Sequence, residues 1–313
     1  MEEQNLVFII SQPRSGSTFL QNLLSNNTEV NTCSESWLLL NFANQIKPSL
    51  LSASFNNILA GKAFGNYVND QKIDFTKKQK DFILELYRPL QEGYKLVIDK
   101  TPRYWEILEE VQQLFPESRI ILLKRNPIDV ASSIMKTWHI KSLSQLSTNY
   151  NRDLLIAPGK IHSFSLSNKT NKNVYVLRYE DLVGDTQTET EKIYNWLGIK
   201  YSSEVLDLDQ NKKYKGEFGD PYQNSDKDYE EIKATSDLVE LNKIQKNFIK
   251  GYAHYLGEDF LKEYGNYEFE DQKKTVEFAY FIHKLRNRNL EVKFKEEVQF
   301  LLKEVYFRFK KMN

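Results

Sequence analysis

Along this chain the apolar residues form two kinds of run. Four runs are short and dense: Leu6–Ile10, Lys95–Ile98, Arg119–Leu123 and Asn173–Leu177. A strand apolar on both faces belongs inside a parallel sheet covered on both sides, so these segments predict buried parallel strands. In the other kind, apolar residues recur every three to four positions. Ser17–Leu24 places Phe19, Leu20, Leu23 and Leu24 on one helical face, and helical patterns over Tyr104–Leu114 and Ile128–Trp138 follow the second and third strands. Thr188–Leu197 follows the fourth strand and stops at Gly198, a residue type that ends helices. Strand–helix alternation of this kind predicts an α/β fold, a central parallel sheet flanked by helices.

Two stretches interrupt the alternation. Residues 34–94 and 139–170 read as mostly helical or irregular insertions that shape a pocket, both within one domain covering residues 1–265. Asn211–Asp228 is polar and contains glycine, which predicts a surface loop, and the pattern beyond it is helical. Residues 266–313 read as a helical C-terminal extension packed on the same domain. Within it Thr275–Lys311 mixes Phe, Tyr, Leu and Val with Lys and Arg. Its apolar stripe suits packing on the core, with contact to a membrane surface or to a second copy as alternatives.

Composition narrows the classes. Of 313 residues 40% are hydrophobic and 27% charged, which fits a globular chain rather than a disordered one. Lys+Arg and Asp+Glu balance at 43 each, so no global charge draws the chain to nucleic acid. The single cysteine, Cys33, excludes an intramolecular disulfide and a Cys-rich zinc site. No stretch approaches the roughly 20 apolar residues a membrane span requires. The acidic Glu2-Glu3 before the first apolar run has the wrong sign for a secretory signal, and a cytoplasmic protein is expected.

The first strand runs directly into Ser11-Gln-Pro-Arg-Ser-Gly-Ser17, and a helix begins near Thr18. A loop of Gly and small hydroxyl residues in that slot turns backbone N–H groups toward one point, where the helix adds its partial positive charge. Arg14 supplies a cation, and Ser15, Ser17 and Thr18 supply hydroxyl donors around Gly16. The sheet is thus P-loop-like, yet the loop lacks the opening Gly and the Gly-Lys-Ser/Thr ending of a Walker A motif. Pro13-Arg-Ser-Gly-Ser-Thr18 resembles the 5′-phosphosulfate loop of sulfotransferases that use 3′-phosphoadenosine 5′-phosphosulfate (PAPS). It is most similar to the tyrosylprotein-type and bacterial branches, which carry Arg where cytosolic aryl sulfotransferases carry Lys.

A second motif stands about 110 residues on. Leu122-Leu-Lys-Arg-Asn-Pro127 ends the third strand, with Pro127 suited to a first helical turn and Asn126 to its cap. Arg125 at the strand end and Ser133 in the helix can reach one phosphate from two sides, where open α/β sheets collect ligands. This pair also resembles the family's 3′-phosphate signature. Val176-Leu-Arg-Tyr-Glu-Asp-Leu182 matches a third family segment, which implies that Tyr179 sits near the adenine. The loop that closes over the nucleotide has candidates in Lys213, Lys215, Gly216, the Gly219-Asp-Pro221 turn and Ser225.

Sulfuryl transfer requires neutralisation of charge on the leaving phosphate and a base for the acceptor proton, and no metal is needed in principle. Arg14 and Lys100 are the natural cations. Lys100 lies in Asp99-Lys-Thr-Pro102, similar to the family's catalytic lysine context. Glu35, in Cys33-Ser-Glu-Ser-Trp37, follows Arg14 by 21 residues, the separation of the catalytic Glu in tyrosylprotein-type enzymes, with Ser36 where those carry Pro or Glu. His139 is the competing base. The expected reaction moves the sulfuryl group from PAPS to a hydroxyl, or an amine, of a small, hydrophobic or lipid-like acceptor, leaving adenosine 3′,5′-bisphosphate. Trp37, Phe42, Phe55, Phe64, Tyr67, Trp138 and Tyr150 offer the acceptor aromatic surface. Two other readings stay open. One is a nucleotide kinase with Asp99 holding Mg²⁺, the other an inactive nucleotide-binding scaffold; Asp99 reads better as orienting Lys100 or the Thr101-Pro102 turn. An oligomer through the C-terminal helices is also open.

Overall fold

The structure is a computed structural model that describes residues 1–51, 53–140, 150–208 and 241–264. The chain divides into two compact units, Met1–Val130 with Ile156–Ser236 and Ala131–Leu155 with Asp237–Asn313. The first unit contains a five-stranded parallel sheet in the order β2-β3-β1-β4-β5. All four expected strands form: β1 Leu6–Ser11, β3 Leu96–Lys100, β4 Arg119–Lys124 and β5 Val174–Arg178. The fifth, β2 Val30–Thr32, adds an edge through the pairings Val30↔Leu96 and Thr32↔Ile98. Three residues with Asn31 at the centre show no apolar run, so β2 exists only by virtue of its neighbour.

β1 is buried along its whole length and divides its side chains between two cores. Leu6, Phe8 and Ile10 face a layer with Tyr87, Trp105, Leu108, Phe115 and Ile161. Val7 and Ile9 face the other, with Leu20, Leu24, Ile193, Tyr194 and Leu197. This two-residue alternation is how one strand supports helices on both faces. In the first layer lie α3 Phe75–Gln91, α4 Leu108–Leu114 and α7 Ala157–Ser167; in the second lie α1 Ser17–Ser25 and α9 Thr186–Leu197.

Several boundaries differ from the sequence pattern for local reasons. The segment expected as a helix from Tyr104 opens as a 3₁₀ turn over Pro102–Ile107, and α-helix begins only at Leu108. Helix α9 starts two residues early because the Asp185 side chain accepts from Thr188 N at 3.1 Å. It ends as expected at Gly198, with φ 67°. A short helix α8, Tyr179–Gly184, directly follows β5. The first insertion folds mainly into α2 Asn57–Asp70 and α3, capped by Asn56 and Asp74.

The helix after β4, α5 Pro127–Thr137, runs across the boundary between the two units. The second unit also contains α6 Asn151–Leu155, α10 Lys243–Leu256 and α11 Glu258–Lys262. There Tyr252 donates its hydroxyl to Leu154 O at 2.6 Å, Gln245 Nε2 donates to Ile140 O at 2.8 Å, and Trp138 stacks on Tyr150. A reciprocal cap between Asn242 and Gln245 opens α10. The Asn211–Asp228 loop with its candidates Lys213, Lys215, Gly216 and Ser225, and the extension from residue 266, lie outside the described residues.

Candidate active site

β1 lies between β3 and β4, and the chain leaving its C-terminal end enters the loop that leads to α1. Arg14 and Gly16 both take left-handed backbone conformations, φ 69° and 87°. At Gly16 only glycine fits. A Cβ there would stand 2.3 Å from Tyr179 Cε2 and 2.4 Å from its Cδ2. Gly16 is also the N-cap of α1 and offers the first turn no side-chain acceptor. The Ser15 hydroxyl is buried beside it with no hydrogen-bond partner. A buried, unpartnered hydroxyl at a helix N-terminus without a side-chain cap is the chemistry of an anion cradle.

Lys100 closes β3, in register with Ile9 of β1. Its side chain is 1% exposed, and its ammonium lies 2.8 Å from Glu35 Oε1 and 3.3 Å from Thr18 Oγ1. The other oxygen of Glu35 accepts from Trp37 Nε1 at 3.3 Å. Trp37, at φ 51°, opens the turn Leu38–Asn41, and the Arg103 guanidinium sits 5.6 Å from its ring centre. Burying the Lys100 ammonium costs desolvation that its attraction to the half-buried Glu35 need not offset, so this pair beside an anion cradle is better explained by chemistry than by stability.

From the other side comes Arg125, just past β4. It donates from Nη1 to Arg14 O at 3.1 Å and stacks 4.3 Å from the centre of the Tyr179 ring. Its Nε is buried with no partner. The cap expected at Asn126 is present: Oδ1 accepts from Ile128 N at 3.0 Å, while Asn126 N donates to Glu180 Oε1 at 2.7 Å. Three segments far apart in sequence therefore meet at one place, the Arg14–Thr18 loop, Arg125-Asn126 and Tyr179-Glu180. Ser133 lies on α5 and His139 just beyond its end, both in the second unit, with His139 exposed at φ 48°.

Under Lys100 sits Asp99, 1% exposed. Its Oδ2 accepts from the hydroxyls of Tyr87 at 2.5 Å, Tyr104 at 2.9 Å and Ser36 at 2.9 Å, and its Oδ1 from Thr101 Oγ1 at 2.7 Å. Burial first, then the charge of Asp99, holds the phenols of Tyr87 and Tyr104 well above their ordinary range. The Cys33 thiol is pushed up to about 12, chiefly by burial and then by Asp99, so it is a poor nucleophile.

A model of the sulfotransferase family matches residues 6–203, a span that holds the loop, the ion pair and Arg125. This chain belongs to the sulfotransferase family. Nodulation protein NoeE of Sinorhizobium fredii is 32% identical over 143 residues, 45% of this chain and 33% of that protein. The match thus spans about a third of that relative's length. Protein-tyrosine sulfotransferase A of Caenorhabditis elegans is 22% identical over 213 residues, 65% of this chain and 52% of that one. Among solved structures, the sulfotransferase domain from the curacin biosynthetic pathway is 23% identical, with 90% of this chain and 98% of that one covered at a TM-score of 0.49.

In this sulfotransferase the structure brings together, within the first unit, the sequence candidates Arg14, Ser15, Gly16, Ser17, Thr18, Glu35, Lys100, Arg125 and Tyr179. Sequence reasoning missed the hydroxyl cage of Asp99, the Glu180 bond to Asn126 and the Trp37 bond to Glu35. No spacing rule links those partners, and only the strand-end position of Asp99 was a signal. Of the acceptor-side aromatics, Trp37 stands beside Glu35, whereas Phe64 packs edge-on to Phe75, and Phe55 and Tyr67 are exposed. Among the described residues, no helix is long and apolar enough to cross a membrane, and no cluster of His, Cys, Asp or Glu suits a metal ion.

Proposed function

We propose that this enzyme transfers the sulfuryl group of PAPS to a hydroxyl or amine of a small, largely apolar acceptor. The observation that carries the reading is the pair of buried Lys100 and half-buried Glu35 at 2.8 Å, placed against Thr18 in the anion-cradling loop. PAPS fits the residues present. The orphaned Ser15 hydroxyl, the uncapped first turn of α1 and the Arg14 and Thr18 side chains suit its phosphosulfate, while Arg125 suits its 3′-phosphate. Tyr179, already stacked on Arg125, offers the adenine a neighbouring aromatic face.

In the transfer, the acceptor oxygen or nitrogen bonds to sulfur as the bridging sulfur–oxygen bond breaks. The electron pair leaves on the phosphate oxygen. Lys100 and Arg14 oppose the charge that gathers there, and Glu35 takes the acceptor proton. Trp37 holds the free oxygen of Glu35 and gives the acceptor side an aromatic wall. The kinase alternative loses ground on Asp99, whose oxygens are taken up by four hydroxyl donors rather than open toward the loop.

Calorimetry with adenosine 3′,5′-bisphosphate and with ATP–Mg²⁺, followed by transfer from radiolabelled PAPS to a panel of phenols, alcohols and amines, tests the reading. Tight binding of the bisphosphate and a labelled product are expected. Binding of ATP–Mg²⁺ without the bisphosphate would overturn it.

A further inference from the structure

Glu35 lies in a stretch without regular structure, between the edge strand β2 and the turn that begins at Leu38. Nothing in that stretch's own backbone pattern fixes where the carboxylate points. What holds it is a set of side-chain bonds that converge one residue away. Ser36 Oγ donates to Asp99 Oδ2 at 2.9 Å and accepts from Leu38 N at 3.1 Å. Tyr104 OH donates to the same Asp99 oxygen at 2.9 Å and accepts from Leu39 N at 3.0 Å. The segment running from Glu35 through Trp37 into this turn is thus tied twice to one buried carboxylate.

That carboxylate precedes Lys100 in β3. Side chains alternate along a strand, so Asp99, in register with Phe8, and Lys100, in register with Ile9, point to opposite faces. Asp99 therefore does not touch the loop. It has no ion pair among the described residues, and its four partners are all hydroxyls, from Ser36, Tyr87, Thr101 and Tyr104. Bonds from hydroxyls to a carboxylate are shorter and stronger than neutral ones, and a carboxylate accepts several of them at once. An asparagine of the same size keeps one oxygen and turns donors toward groups that must donate.

We propose that Asp99 is a positioning residue for sulfuryl transfer: through Ser36 and Tyr104 it fixes the turn that sets the Glu35 carboxylate against Lys100. One end of the ion pair is joined to Asp99 covalently and the other by hydrogen bonds, so a single buried group sets the distance between the two reacting side chains. This inference rests on Glu35 as the base, and its test separates the two.

Ser36→Ala removes the tie on the Glu35 side and nothing from the strand. Release of label from radiolabelled PAPS to water and to para-nitrophenol measures turnover, and calorimetry with adenosine 3′,5′-bisphosphate measures the donor site. Turnover falls by roughly 10- to 100-fold, as expected when a reacting group is misplaced by a fraction of an ångström to an ångström, with bisphosphate affinity unchanged. Asp99→Asn falls at least as far, and Ser36→Thr, which keeps the hydroxyl, restores most of the rate. In a Glu35→Gln background Ser36→Ala adds no further loss, because the group it positions is gone. The crystal structure of Ser36→Ala shows Glu35 drawn away from Lys100.

An unmoved Lys100–Glu35 contact in Ser36→Ala overturns the proposal whatever the rates, and so does an undiminished loss in the Glu35→Gln background. Tyr194→Phe, which removes a buried hydroxyl bond to Leu23 O in the opposite layer, controls for stability alone. If it lowers turnover as far as Ser36→Ala, the positioning role also falls. Full activity of Glu35→Gln instead removes the base assignment. Should Asp99→Asn fail to fold, Ser36→Ala and its threonine rescue decide the question.

Discussion

The ring of Tyr179 occupies the space that a side chain on Gly16 would need. The donor loop and the start of α8, more than 160 residues apart in sequence, are therefore fitted to each other at van der Waals range. Gly16→Ala meets both the ring and a left-handed φ of 87°, a backbone conformation that alone costs a non-glycine residue about 1–3 kcal/mol. Thermal denaturation and calorimetry should show a lower Tm and loss of bisphosphate binding. Adding Tyr179→Ala to Gly16→Ala should recover stability; a double variant no more stable than the single one would refute the steric account.

The Lys100–Glu35 pair predicts a division between chemistry and binding. Glu35→Gln should lower turnover by about 10²–10⁴-fold, the span typical of a removed general base, with bisphosphate affinity retained. Lys100→Met, which keeps the buried stem, should lower turnover by about 10²–10³-fold. Comparison of single-turnover rates with calorimetric affinities checks both.

Arg125 predicts a preference among nucleotides. Its Nε is unpartnered and its Nη1 already held on Arg14 O, so the guanidinium is braced before any ligand arrives. Arg125→Ala should weaken adenosine 3′,5′-bisphosphate by roughly 10- to 100-fold, from a charge-assisted bond of about 1.5–3 kcal/mol. AMP, which lacks the 3′-phosphate, should be affected far less. Equal losses for the two nucleotides would remove the assignment.

Alkaline conditions should act through the cage under the site. Cys33, Tyr87 and Tyr104 all hold their protons more tightly in the fold than in the open chain. Each therefore contributes stability that is present below its unfolded pKa and lost as pH rises above it, from about 8.5 for the thiol and about 10 for the phenols. Denaturant midpoints measured upward from pH 8 should decline, and ultraviolet titration should show buried tyrosines ionising only on unfolding. Alkylation of Cys33 by iodoacetamide at pH 8 should be slow in the native protein and rapid in denaturant.

The parts of the molecule that could be read in advance are those whose signal is local. Leu6–Ile10 announces a buried strand by its own composition, and Gly16 among hydroxyls announces a phosphate loop because the residues that make it are neighbours. Asn126 and Gly198 were legible as caps for the same reason. β2 was not, since Val30-Asn-Thr32 is a strand only because β3 lies beside it. Nor was the cage around Asp99, whose donors come from Ser36, Tyr87 and Tyr104 and meet only after the sheet and α3 have packed. Glu35 and Lys100 could be named separately from their contexts, but their contact is a product of the tertiary fold.

The alternation along β1 has a consequence for how the molecule comes into being. This strand carries residues of both cores, yet its partners arrive late in synthesis: Leu6 pairs with Val97 and Ser11 with Leu123. An emerging chain therefore exposes Leu-Val-Phe-Ile-Ile as an unpaired apolar ribbon until β3 has left the ribosome, and with one open edge until β4 follows. Contacts so distant in sequence fold slowly, and such a segment is open to aggregation in the interval. The donor loop, built directly on that strand, is made well before the strands that hold it in place and is among the last parts to take shape.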